Sequence, residues 1–413
     1  MTSIRLAALI TLAAAGVCQD LPFRAGVASV DITPAESLPM YGYANRRCGP
    51  SNGIHDPLFA RALVLHSGDS KLAIVTLDLG SISSQKVVSE IRDRLGIPIV
   101  LLAASHTHSG PQPMKPEAEA KIVDAVRRAS ESMFPARLAV GRGSMQLGYN
   151  RLVLRDTGRA RAAFNNMERI PYGPLDPEFT ILRVDDESGK IRAVVTHYAV
   201  HAVVLGPTNC KFSADYPGAM HAKVEREIPG AQSMFVQGGA GDINPLFLAR
   251  SGKEKEDFAM VRTMGETLAT SVLKATREAK PASGNRHPIV AKMDTLRFAD
   301  RWDKERSVEV GIATVLINRE IAIAATPGEP LHKLQTAWKQ QADVPHALFF
   351  GYTFSGAGVW PGYIPDLRSA AYGGYGADAS TRVEVGAGET IMQRHLVNLF
   401  GLLGMWRDKP GEP

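Results

Sequence analysis

A six-residue apolar run that stops at two histidines constrains this chain most. Ile99-Val-Leu-Leu-Ala-Ala104, bounded by Pro98, is followed by Ser105-His106-Thr107-His108-Ser109-Gly110-Pro111. An uninterrupted apolar run of this length reads as a buried strand. A buried strand needs layers packed over it, which points to an α/β protein. Gly110 and Pro111 turn the chain, so the histidines fall at the strand's C-terminal end, where open α/β sheets place ligands. In an extended backbone, residues two apart share a face. Neutral imidazole is a common metal ligand. A metal-binding pair and a polar turn with two ordinary surface histidines are both open at this point.

The same motif, an apolar run ending in a polar group, recurs along the chain. Phe23–Pro34 reads as an edge strand, and 60–65 and 72–79 as paired strands. A helix capped by Ser83 or Ser84 runs to Leu95 and ends at Gly96. Helices are expected at 117–134, 215–227, 253–280 and 389–403, and from just past Glu329 to about Gln341. Strands are expected at 179–184, 192–201, 233–236, 321–325 and 348–352. His201, Asp242 and Glu329 fall at or just past the ends of these runs. His197 and His201 are four apart, and His197 reads as a core histidine. Gly238-Gly-Ala-Gly241 lets the backbone approach a ligand or a neighbouring strand. The expected fold is a mixed-sheet α/β sandwich with its chemistry at strand ends. Without internal repeats or a clear linker, residues 20–413 form one domain.

Composition excludes some functions. Net charge is +5, but there is no block of like charge, so a nucleic-acid role has little support. No later segment is long and apolar enough to cross a bilayer. Arg5 followed by Leu6–Ala15 reads as a secretory signal over residues 1–19, so the protein is expected to be exported, periplasmic or secreted. Ala15-Gly-Val-Cys18 is a poor lipoprotein box, because Val17 is large. Cys48 and Cys210 then remain in the mature chain. An oxidising compartment permits a disulfide between them, with two free thiols as the competing state.

An ordered series of short motifs resembles the neutral ceramidase family of zinc-dependent amidases. The series comprises Gly26–Thr33, Met40-Tyr-Gly-Tyr-Ala44, Gly53-Ile-His55 with Ala60-Arg-Ala62, Ser105–Pro111 and Asn150-Arg151. It continues through Ala199-Val-His201 with Ser213-Ala-Asp215, Gly241-Asp-Ile-Asn-Pro245, Pro327-Gly-Glu329, and Tyr363-Ile364 with Tyr372 and Tyr375. The resemblance implies that His106, His201, Glu329 and Tyr363 hold one Zn2+. Two imidazoles, a carboxylate and a phenol with an open position suit a catalytic zinc. It further implies His108, Arg151 and Asn244 at the reacting carbonyl, and Asp242, Tyr372 and Tyr375 against the substrate. The implied activity is hydrolysis of the N-acyl amide of a ceramide-like lipid by a zinc-activated water, with peripheral membrane contact to reach it.

Three departures from the pattern bear on function. Asn244 replaces the family's serine in Gly-Asp-x-Ser-Pro, and a carboxamide is no useful nucleophile. The family's C-terminal β-domain has no counterpart in the resemblance. The interval from His201 to Glu329 is shorter, which reshapes the pocket. Two alternatives follow: a zinc hydrolase of another amide or ester, and a ligand-binding protein that has lost catalysis.

Overall fold

Apolar residues alternate with polar ones in some strands and run unbroken in others, and the layers follow from that difference. The computed structural model describes residues 23–284 and 286–407. The expected signal segment, with Arg5 and Cys18, lies outside the described residues.

A ten-stranded mixed sheet runs in the order Gln232–Gln237, Ile191–Tyr198, Glu178–Asp186, Phe134–Ser144, Arg24–Asp31, Phe59–Ser67, Ser70–Leu77, Ile99–Ala104 and Thr353–Phe354, with Lys280–Pro281 added beside Phe134–Ser144. Ile191–Tyr198 and Gln232–Gln237 are parallel, as are Ser70–Leu77 and Ile99–Ala104. A second sheet of four strands runs Ile289–Ala299, Ser307–Ile317, Ile321–Ala325, His346–Phe350. Leu63, Leu101 and Val195 of the large sheet share one core with Val315, Ile323 and Phe350 of the small one. Helices Gln85–Leu95 and Pro116–Glu131 cover part of the large sheet's other face, and Asp215–Glu227 and Glu254–Glu278 cover the rest. His332–Gln341 and Ala387–Leu402 cover the small sheet's outer face. The α/β sandwich is thus built on two packed sheets.

Helix boundaries obey local chemistry. Ser84 Oγ accepts from Val87 N at 3.2 Å, and Gly96 ends that helix at φ 65°. The expected edge strand at the N-terminus is interior instead. Arg24–Asp31 pairs along its length with Phe59–Ser67, and Phe134 and Pro135 take its other side. The hairpin Ile289–Ala299 and Ser307–Ile317 has no counterpart among the expected elements. Its first strand is half-buried or exposed at nine of eleven positions and carries Lys292, Asp294 and Arg297, which hides the strand pattern.

The two ends of the large sheet meet where the motifs are. Gln237 Nε2 donates to Ser105 O at 3.1 Å and to Val200 O at 2.9 Å. One side chain thereby ties the end of Gln232–Gln237 to the turn before His106 and to the turn before His201. The disulfide Cys48–Cys210, with Cα atoms 6.0 Å apart, fastens the 40–50 loop to the 205–212 loop over the same end.

Candidate metal centre and active-site pocket

His106 leaves its strand with φ 64°, a left-handed conformation that a side chain rarely adopts. The His106–His108 pair therefore converges through a kink and not through an extended backbone. The two Nε2 atoms lie 3.1 Å apart. His201 arrives from the opposite end of the sheet, held by His201 N to Ile243 O at 3.0 Å. The ligand atoms of His106, His108 and His201 all lie within 4.8 Å of one another. Glu329 and Tyr363 are direct register partners in a short parallel pair. Glu329 Oε2 stands 3.2 Å from His106 Nε2 and 3.2 Å from His201 Nε2. His197 takes no part: its Nε2 meets Phe349 O at 2.7 Å in the core.

The hydrogen bonding of this cluster calls for a cation. His106 Nδ1 lies 2.6 Å from Gly80 O, and His201 Nδ1 lies 2.6 Å from Ala240 O. A carbonyl only accepts, so each Nδ1 carries the hydrogen, and the Nε2 of each ring is the nitrogen turned toward Glu329. Burial holds His201 neutral, its pKa pushed down to about 4. Acceptors then face an acceptor in a buried space, an arrangement that costs free energy unless a cation sits among them. The clustered imidazoles and the carboxylate form a donor set that fits a metal ion. His108 is neutral as well, held well below its ordinary pKa by burial and by His106 and His201, and its Nδ1 has no partner. Gly42, at φ 95°, permits this packing: a Cβ there would stand 2.2 Å from the His108 ring.

Arg151 organises the opposite wall. Its guanidinium donates to Asn244 Oδ1 at 3.0 Å, Gly241 O at 2.6 Å and Tyr363 Oη at 3.0 Å. Burial works against its charge, but Tyr363 and Glu329 outweigh burial and raise its pKa. Asn244 is placed by the pairing of Ile243–Pro245 with Gly148–Asn150. The glycine run before it allows close approach to a strand: a Cβ on Gly241 would lie 2.5 Å from Glu329 O. His108, Arg151, His201, Asn244, Tyr363 and Tyr375 all border one cavity of about 450 Å³.

Two expected substrate contacts lie elsewhere. Asp242 is fully buried behind the pocket and receives His332 N at 2.9 Å, His332 Nδ1 at 2.6 Å and Asn150 Nδ2 at 2.8 Å. Tyr372 borders a different depression with Arg368, whose Nε donates to its hydroxyl. Sequence reasoning left several residues of the site without a role. Tyr41 and Tyr43 lie in a motif already noted, and their rings pack edge-on to His108. Tyr352 carries no sequence signal; its ring centroid is 4.5 Å from that of His106. Arg250 lines the cavity but lies beyond the Gly241–Pro245 motif.

A family model, neutral/alkaline non-lysosomal ceramidase, N-terminal, matches residues 23–263, more than half of the chain. The neutral ceramidase of Pseudomonas aeruginosa is 27% identical over 293 residues, covering 62% of this chain and 42% of that protein. Neutral ceramidase A of Dictyostelium discoideum is 27% identical over 266 residues, covering 55% of this chain and 36% of that protein. The chain thus spans less than half the length of these relatives. The crystal structure of the Pseudomonas aeruginosa enzyme superposes with a TM-score of 0.76 over 95% of this chain and 76% of that one, at 19% identity. At that identity the superposition speaks for the fold alone. With the family model spanning the strands that carry His106, Arg151 and His201, the chain belongs to the neutral/alkaline non-lysosomal ceramidase family.

Proposed function

We propose that this chain is a zinc-dependent hydrolase that cleaves the N-acyl amide of a ceramide-like lipid. The observation that carries the proposal is the convergence of His106 Nε2 and His201 Nε2 on Glu329 in a buried pocket, with both Nδ1 atoms already tied to backbone carbonyls. The names of the relatives supply the substrate class. His106, His201, Glu329 and Tyr363 would hold the ion. When bound, zinc supplies Lewis acidity, which lowers the pKa of water and polarises an amide carbonyl. Arg151 borders the same cavity and is anchored by Gly241 O, so it is placed to steady charge developing on the carbonyl oxygen. His108 stands beside the ligand histidines and borders the cavity, so it is placed to hydrogen-bond the scissile carbonyl and steady the oxyanion. Asn244 shapes the cavity through its bond to Arg151. It supplies no nucleophile, so water attacks directly.

We also propose export. The Cys48–Cys210 disulfide supports it, because such bonds persist in oxidising compartments. Contact with a lipid surface is supported by Phe164, Met167 and Ile170, which are exposed in one segment that reaches the cavity rim. Among the described residues, no helix is long and apolar enough to cross a membrane.

The test is turnover of N-acylsphingosine by zinc-reconstituted protein, with metal content measured on the same sample. Zinc-dependent release of fatty acid is expected. A fully zinc-loaded protein inert on N-acylsphingosines, simple amides and esters would overturn the proposal and favour a binding protein. Gain of turnover by Asn244→Ser from such an inert start would trace the lost catalysis to that position.

A further inference from the structure

The cavity beside the metal centre is cationic. Arg151 and Arg250 both line it, and among the described residues no aspartate or glutamate does. Neither arginine is within ion-pair distance of a carboxylate among the described residues. Arg151 donates from its terminal nitrogens to Asn244, Gly241 and Tyr363, and its Nε is buried without a partner. Arg250 is anchored at one end only. Its Nη1 donates to Val204 O at 2.8 Å and Ala249 O at 2.7 Å, and its Nη2 reaches Val203 O at 3.5 Å. Its Nε has no acceptor among the described residues. The fork is thus held in the wall by backbone while part of it stays free.

The neighbouring charges do not neutralise it. Glu329 lies among the histidines, where the metal would balance it. Asp215 approaches from beneath but already accepts Val204 N, Leu205 N and Tyr216 N. Arg46 lies behind Tyr43, its guanidinium 5.2 Å from the ring centroid, and adds positive charge. Asn45 and Asn165 add polar groups to the wall. An all-apolar ligand would cover a half-buried guanidinium and leave it unpaired, which is costly. A ligand with an anionic group would meet a pre-positioned fork.

We propose that the preferred substrate is an N-acyl compound carrying an anionic group, which Arg250 binds while the scissile amide lies at the histidine cluster. This rests on the hydrolase function proposed above and narrows its substrate from N-acyl lipids in general to those that carry an anionic group. Hydrolysis breaks the amide C–N bond, forms a C–O bond from water, and transfers a water proton to the departing nitrogen. The anionic group takes no part in bond making. It selects and orients the substrate.

The test uses three ligands with one acyl chain: N-lauroylglycine, N-lauroylethanolamine phosphate and neutral N-lauroylethanolamine. Dissociation constants are measured by calorimetry on zinc-free protein, and kcat/KM on zinc-loaded protein. At least one anionic ligand is expected to bind roughly tenfold or more tighter than the neutral one, the scale of a charge-assisted hydrogen bond. A lead for N-lauroylglycine identifies a carboxylate as the natural group, and a lead for the other anion identifies a phosphate. The preference should shrink as salt rises and should fall most of the way in Arg250→Gln, with partial rescue in Arg250→Lys. Because Arg250 also holds backbone, the wild-type preference and its salt dependence decide the matter if the variants do not fold. Equal or tighter binding of the neutral ligand to wild type would overturn the proposal, as would an equal loss for all three ligands in Arg250→Gln. A clear anion preference without any turnover would uphold anion recognition and sink the hydrolase function. Turnover of all three without preference would do the reverse.

Discussion

Two buried histidine–carboxylate groups stand back to back in this molecule, and they have opposite chemistry. Behind the pocket, His332 Nδ1 lies 2.6 Å from Asp242 Oδ2, and no backbone carbonyl competes for that nitrogen. Burial works against charge on both partners, but each outweighs it for the other. The His332 pKa is raised and that of Asp242 lowered. This pair is complete in itself and pins the start of His332–Gln341 to the Gly241–Pro245 turn. At the pocket, backbone carbonyls have already taken Nδ1 of His106 and His201. The carboxylate there meets lone pairs. The nitrogen that the backbone occupies decides whether a histidine–carboxylate contact closes on itself or waits for a cation.

The largest expected effect comes from breaking the pocket side. His106→Ala should lose bound zinc and detectable turnover together, while His108→Ala should keep the metal and lose turnover. Metal content and initial rates on the same preparations check both. Zinc retention by His106→Ala would place the metal elsewhere.

Breaking the closed pair should act on stability. Asp242→Ala leaves His332 buried without its partner and should cost roughly 3–5 kcal/mol of folding stability. Zinc binding should survive in the molecules that fold. The pH dependence follows from the two shifts. His332 has a raised folded-state pKa, so its contribution is full below the ordinary value of 6.5 and fades as pH rises through the raised value. Asp242 has a depressed pKa, so its contribution is full above 3.8 and fades as pH falls through the lowered value. The Tm difference between wild type and Asp242→Asn should therefore be widest between these limits and narrow on either side. A difference that is flat across pH would contradict the assignment.

The sequence made one of these regions far more legible than the other. Strand-end positions exposed His106, His201 and Glu329, because an apolar run that stops at a polar residue is a local signal. The convergence of His106 and His201 is not local: it depends on Gln237 joining the two ends of the large sheet. Asp242 was visible as a residue, but its role depended on His332, ninety positions away. The helix that begins at His332 is expected from the sequence, but nothing local marks the His332 ring as the partner of Asp242. Arg250 was hidden for a similar reason, since its significance lies in the carboxylate that it lacks. Cys48 and Cys210 were two possible partners in sequence, and only the approach of their loops decides the bond.

A smaller effect is expected where the pocket is shaped without being completed. Gly42→Ala would press on the His108 ring and should lower kcat by roughly 10²-fold through misplacement, with zinc retained. Full activity in that variant would remove His108 from the reaction. The smallest effect belongs to Asn244. Losing one hydrogen bond to Arg151 should change the rate by about tenfold or less in Asn244→Ala, and Asn244→Ser should be milder still.

Metal analysis of the zinc-reconstituted protein, set beside His106→Ala and Asp242→Asn, tests the contrast between the two histidine–carboxylate groups most directly. The wild type should hold about one tightly bound zinc per chain. Folded Asp242→Asn should hold the same, and His106→Ala almost none. A wild type that holds no zinc after reconstitution, or an Asp242→Asn variant that loses zinc as fully as His106→Ala, would contradict the contrast.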